Sequence, residues 1–185
     1  MEEITKMESI DQYDQLFGLE TLHPLVNVID FSKATKTVEY YRMNIGFYSL
    51  FLKEAKCGDL RYGRKYYDYQ DNRKQTPIRT KSIGLLFHPD LIRGTSLGQN
   101  IKHYSFFSYE VNEALHLSEQ EKEIVTDCIH KIQIELEHAI DKHSKQLIVR
   151  NIELLLDYCM RFYERQFITR NQANKDIIVK FEQLL

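Results

Sequence analysis

No stretch of this sequence approaches the roughly 20 consecutive apolar residues that a membrane-spanning helix requires. Its start, Met1-Glu2-Glu3-Ile4, has neither the basic nor the apolar region of a secretory signal. Cysteine is scarce: Cys57, Cys128 and Cys159 are odd in number and far apart, so neither a disulfide framework nor a CxxC metal site is suggested, and a reducing cytoplasm is the expected compartment. The formal net charge of −2 gives no footing for non-specific nucleic-acid binding by the chain as a whole. There is no close His-x-His pair with a following Glu, the grouping that lets imidazole and carboxylate converge on one ion; His23, His88, His103, His116, His130, His138 and His143 are scattered. Cys128 and Cys159 fall on apolar stripes, where a free cysteine acts as a small hydrophobe. These absences lead to an expectation of no metal, no cofactor and no catalysis.

What the chain does have is enough apolar material for one substantial core. With 185 residues, 43% hydrophobic and 28% charged, it has the composition of an ordinary globular protein of one domain, or of one domain with a helical appendage. The most telling stretch is Ser82-Ile83-Gly84-Leu85-Leu86-Phe87-His88-Pro89-Asp90-Leu91-Ile92-Arg93-Gly94-Thr95. Ile83, Leu85 and Phe87 alternate as a buried strand does. Pro89 lacks an amide hydrogen and suits a first helical turn, while the residue before a proline is pushed to extended conformation. The strand is therefore expected to end at His88, with Asp90 near the positive end of a short helix.

On either side of this seam the periodicity differs. Residues 1 to 20 predict a short helix, with Ser9 and Gln12 at capping-box spacing, Ile10, Tyr13 and Phe17 on one face, and Gly18 as its stop. From Val26 to Tyr69 the pattern alternates in Val26-Asn27-Val28-Ile29, Met43-Asn44-Ile45-Gly46-Phe47 and Leu60-Arg61-Tyr62, with Cys57-Gly58-Asp59 as a turn. Seven of the twelve tyrosines lie between Tyr40 and Tyr69, a density that suits strands with one wet face or a partly polar cavity. Asn72 to Lys81 carries four basic residues and a central proline, and predicts a solvated loop.

After the seam the chain is helical. Leu97 to Phe107 predicts a short helix, and Leu117 with Ser118-Glu119-Gln120-Glu121 forms an apolar residue followed by a capping box. Ile124, Val125, Cys128, Ile132, Leu136 and Ala139 make one helical stripe; Leu147, Ile148, Ile152, Leu155, Cys159, Phe162 and Phe167 make a second after a break at Asp141 to Ser144. So short a connection predicts an antiparallel hairpin. A third helical segment is expected from Asn174 to Leu185, ending without cap, glycine or proline, as though the architecture continued past it.

The runs Phe87 to Thr95, Tyr104 to Ser118 and Asn151 to Tyr158, with Gly46 to Lys53 and Tyr62 to Tyr69 upstream, resemble the N-terminal regulatory region of AraC-family transcriptional regulators, particularly those of Bacteroides-like bacteria. The resemblance covers most of Leu22 to Leu185. It implies a cupin-like antiparallel β-barrel that senses a small molecule, helices that make a homodimer, and a C-terminal pair of helix-turn-helix units that binds DNA. The expected fold is thus α+β: an N-terminal helical arm at 1–21, a small cupin-like barrel at 22–95, a helical dimerisation region at 96–170 and a linker helix at 171–185. Two departures stand out. No pair of helix-turn-helix units follows Gln166, so DNA binding is expected only through a C-terminal domain absent from this chain. At Asn72 to Lys81, moreover, family members carry a Gly-rich turn and further strands, so the barrel is about one hairpin short.

Within this frame Arg42, Tyr48, Tyr62, Arg64 and Tyr67 are the candidate contacts for a sugar or small acid, because their polar tips sit on expected barrel strands. Ile148, Ile152, Leu155, Cys159 and Phe162 are the candidate homodimer interface, since Leu154 and Leu156 flank Leu155 and the helix is more apolar than a two-helix hairpin needs. The barrel itself is the competing cover for that surplus. The alternative to an effector-sensing regulator region is a stand-alone small-molecule-binding cupin-like protein or a cupin enzyme.

Overall fold

The computed structural model describes residues 5–36, 43–53, 82–104, 107, 115–138, 141 and 143–182. In chain order these form β1 (Thr5–Met7), α1 (Ile10–Phe17), β2 (Val26–Asp30), a 3-10 turn (Phe31–Lys33), β3 (Met43–Ile45), β4 (Tyr48–Lys53), β5 (Ser82–Phe87), α2 (Pro89–Ile92), α3 (Ser96–Asn100), a second 3-10 turn (Ile101–His103), α4 (Glu119–Glu137) and α5 (Ser144–Glu182). The fold is α+β, as expected. Its described sheet has three antiparallel strands in the order β2-β5-β4, with β1 and β3 as a separate parallel pair. The described strands do not close into a barrel; the expected strand Leu60 to Tyr62, the turn at Cys57 to Asp59 and the basic run at Asn72 to Lys81 lie outside the described residues.

Local chemistry explains most of the boundaries. Helix α1 starts at Ser9, whose Oγ accepts from the Gln12 amide while Gln12 Oε1 accepts from the Ser9 amide. It stops at Gly18, which takes the left-handed conformation (φ 65°) and donates its amide to the carbonyls of Asp14 and Gln15. The expected helix over residues 1 to 20 is therefore shorter, and Thr5–Met7 is a strand paired with Met43–Ile45 instead. At the seam β5 ends at Phe87, and His88 caps α2 by accepting the Asp90 amide on Nδ1, with Pro89 at the first helical position.

β5 is the central strand, and it divides two cores. Leu85 and Phe87 point to one side with Val26, α2, α3, α4 and α5, within a cluster of nineteen buried residues; Leu86 points to the other with Ile29, Phe47, Met7, Ile10 and Tyr13, a cluster of six. Period-two alternation on β2 and β5 produces this division. Gly84 sits beneath Phe51 and Ile29, where an added Cβ would come within 2.8 Å of the Phe51 ring.

The helical side is an antiparallel hairpin. A capping box at Ser118 and Glu121 opens α4. At the α5 end of the connection, Asp141 Oδ1 accepts from the amides of His143 and Ser144. The third helical segment expected from Asn174 is not separate: α5 is one helix through Glu182. No glycine or proline follows Gly98 in the sequence, so nothing after the connection forces a break. By helical rise α5 is about 58 Å long and α4 about 28 Å.

Candidate functional site

The expected ligand contacts do not assemble into a described site. Arg42, Tyr62, Arg64 and Tyr67 lie outside the described residues. Tyr48 is on β4, half-buried, with its ring stacked on Phe87 at 5.0 Å between centroids and tilted against Phe107 at 5.0 Å. That ring packs the junction between sheet and helices. Among the described residues no three His, Cys, Asp or Glu side chains converge to hold a metal ion, and no helix is long and apolar enough to cross a membrane. Cys128 and Cys159 are buried free thiols, both pushed up by burial, Cys159 to about 12.

The five expected interface residues require a correction. Ile148, Ile152, Leu155, Cys159 and Phe162 are between 0% and 7% exposed within a single chain, packed in the main core with α4 and the sheet. They have no surface left to give a partner. Of the seven residues of the expected stripe, these five are covered by the chain itself. Leu156 is likewise fully buried. Among the described side chains of α5, the large apolar ones left exposed are Leu147 and Leu154, each 43% exposed, and Ile168 at 65%. Leu147 thus belongs to the outer face and not to the buried stripe. The three recur at multiples of seven residues, which places them in a line along α5. That spacing is readable in sequence, yet it stays hidden beneath the stronger buried stripe beside it.

The seam fastens this helix to the sheet. After α2, Thr95 caps α3 by accepting the Gly98 amide and donates its hydroxyl to the Ile92 carbonyl at 2.6 Å. Gly98 lies so close to that turn that an added Cβ would collide with the Ile92 carbonyl oxygen. From the same segment Ser96 donates to Glu153 at 3.0 Å and the Tyr104 hydroxyl donates to Asp157 at 2.7 Å. Glu153 and Asp157 are one helical turn apart on α5. Burial and then the Asp157 carboxylate hold the Tyr104 hydroxyl protonated well above its ordinary range. Further along, Arg165 pairs with the nearly buried Glu121 at 3.0 Å, and Gln166 accepts the His116 amide. These contacts mark where the start of α4 lies along α5; residues 167–182, about 24 Å of helix, run past that point.

A second polar group lies on the opposite side of the sheet. Asp14, on α1, is fully buried, and its Oδ2 accepts from the Thr21 hydroxyl at 2.7 Å and from Asn27 Nδ2 on β2 at 2.7 Å. Asn27 Nδ2 also donates to the Glu20 carbonyl, and its Oδ1 accepts the Leu22 amide, so this cluster ties residues 20–22 beneath α1. Asp14 Oδ1 has no hydrogen-bond partner among the described residues. Burial raises the Asp14 carboxyl above the usual range; the bonds from Thr21 and Asn27 oppose this and the charge of Asp11 adds to it. Nothing in the residue types marked Asp14 beforehand except its position four residues after Ile10, on the face that turns inward.

Comparison with protein-family models, with curated proteins and with solved structures gives no match to this chain.

Proposed function

We propose that this chain is the effector-sensing and dimerisation region of an AraC-type transcriptional regulator. In this reading the three-stranded sheet is the described part of a cupin-like barrel that takes a small molecule. DNA is bound by a part of the protein outside these 185 residues, and α5 carries the signal outward as a homodimer. The observation that carries the reading is the line of Leu147, Leu154 and Ile168 on the outer face of a helix that runs unbroken from the core to Glu182. Exposed large apolar side chains in a row are the mark of an interaction surface.

The pattern is self-complementary. About a two-fold axis near Asp157 and Tyr158, Leu147 of one copy meets Ile168 of the other, and Leu154 meets the aliphatic stem of Arg161. Because Ser96 and Tyr104 hold Glu153 and Asp157 from the sheet side, a change in the sheet reaches the acidic residues of that same surface. An effector acts on DNA binding through such a surface only if it favours one arrangement of the pair over another.

Sedimentation of the 185-residue chain at micromolar concentration tests this. The expected result is a dimer that Leu147→Glu, which sets a charge against Ile168 of the other copy, converts to a folded monomer. A wild-type monomer across the concentration range removes the dimer and, with it, this route from sheet to DNA.

A further inference from the structure

We propose that Asp14, Thr21 and Asp11 form a proton-operated clasp: uptake of one proton by Asp14 tightens α1 and residues 20–22 onto β2, and its release loosens them. The proposal is independent of the regulatory reading above.

The geometry supplies both states. When Asp14 is ionised, its Oδ2 accepts from Thr21 and Asn27, and its Oδ1 is buried with no donor among the described residues. A buried carboxylate with an unmet oxygen is costly, and the cost falls when the group becomes neutral. The proton, taken from solvent, has a place to go. Thr21 Oγ1 lies 2.7 Å from Asp14 Oδ2 and 3.5 Å from Asp11 Oδ1. A hydroxyl both donates and accepts. With Asp14 ionised, Thr21 donates inward; with Asp14 protonated on Oδ2, Thr21 accepts from it and turns its own hydrogen outward to the exposed carboxylate of Asp11. Asn27 Nδ2 keeps its bond to Oδ2 in both states.

The groups around Asp14 leave the proton as the means of neutralising it. On α1 the neighbours are Asp11, whose charge disfavours ionisation, and Tyr13, whose own hydroxyl is pushed up to about 12 by burial and by Asp14. From residues 20–22 come the Glu20 backbone carbonyl and Thr21; from β2 comes the neutral Asn27. Lys36, on the segment that closes the end of α1, gives its ammonium to the Gln15 carbonyl at 2.9 Å. His23 holds the Leu25 amide on Nδ1, and burial pulls its ring toward the neutral form.

The test is a carboxyl-carbon NMR titration of the full chain, run beside amide exchange of α1 corrected for the intrinsic pH dependence. Asp14 is expected to titrate above the ordinary aspartate value of about 3.9. The α1 amides should lose protection several-fold as pH rises through that midpoint. Asp11→Asn, an exposed change, should move the Asp14 midpoint down; Asp14→Asn should make α1 protection independent of pH. An Asp14 midpoint at or below the ordinary value overturns the proposal, as does an α1 pH profile that is the same with and without the Asp14 carboxyl. The wild-type titration and the Asp11 variant decide the matter even if the Asp14 variant does not fold.

Discussion

The two faces of β5 hold their elements by different means. On the helical face nineteen buried residues, from Val26 to Phe162, form one cluster, and its polar attachments lie at the edge, where Tyr104 and Ser96 meet α5. On the other face six buried residues hold α1, and a carboxylate is sunk among them with one oxygen unmet. Apolar burial contributes roughly 25 cal/mol per Å² and is indifferent to pH, whereas a buried titratable group makes its surroundings depend on it. The larger face is therefore the scaffold, and the smaller face is the part that solution conditions can adjust. Local opening of low free energy is expected at α1 before it occurs in the hairpin.

The sharpest way to break this comparison is to empty each core by one side chain. Ile152→Ala removes a fully buried side chain between α5 and α4 and should cost about 2–5 kcal/mol of global stability, read by denaturant unfolding. Ile10→Ala empties an equally buried site on the smaller face. It should mainly expose α1 to exchange and shift the global midpoint less. Equal global losses from the two variants would mean that both faces unfold as one unit, and the distinction would fall.

Next in size is the seam that joins the two faces. Gly98→Ala places a methyl against the Ile92 carbonyl, a backbone atom that cannot swing aside, and should cost about 1–3 kcal/mol. A chain that accepts this change without loss of melting temperature would show that α3 shifts freely on α2, so that the seam is not rigid. Tyr104→Phe is milder: it removes one partly buried hydrogen bond to Asp157 and should cost about 1 kcal/mol. Its more informative readout is amide exchange around Asp157, which should rise there and not at α1.

How far the sequence disclosed this arrangement depended on distance along the chain. Unlike His88, which was expected as the last strand residue and is the cap of α2, the caps at Ser9, Gly18 and Ser118 were readable because each is decided by residues within one turn. So was the end of β5, where Pro89 acts on its immediate neighbour. The pairing of Thr5–Met7 with Met43–Ile45 was not, since three residues have too little pattern to announce a partner almost forty positions away. The stripe on α5 showed that Ile152 and Leu155 are buried but not by what; periodicity gives a face and is silent on its cover. A helix break was expected before Asn174, yet asparagine weakens a helix without stopping it, and α5 continues. Of the candidate site, the outer line of Leu147, Leu154 and Ile168 was present as a spacing, whereas Asp14 became visible only when its burial and its unmet oxygen were known.

The smallest expected effect bears on the comparison most directly, because the two faces should respond to acid in opposite senses. Asp141 begins the α5 end of the hairpin, and the amides of His143 and Ser144 hold its carboxyl below the usual range. A depressed folded value stabilises above the ordinary aspartate pKa, and that contribution is lost as pH falls through the folded value. Asp14 is raised, so the folded form is favoured below the ordinary value and the favour is lost as pH rises through the folded one. Acidification should therefore loosen the first turn of α5 while it tightens α1. Residue-resolved amide exchange between pH 3 and pH 7 reads both at once, and Asp141→Ala should remove the response at α5 alone. Parallel pH slopes at the two helices would show that a single global transition governs both, in which case the smaller core is not adjusted separately from the larger.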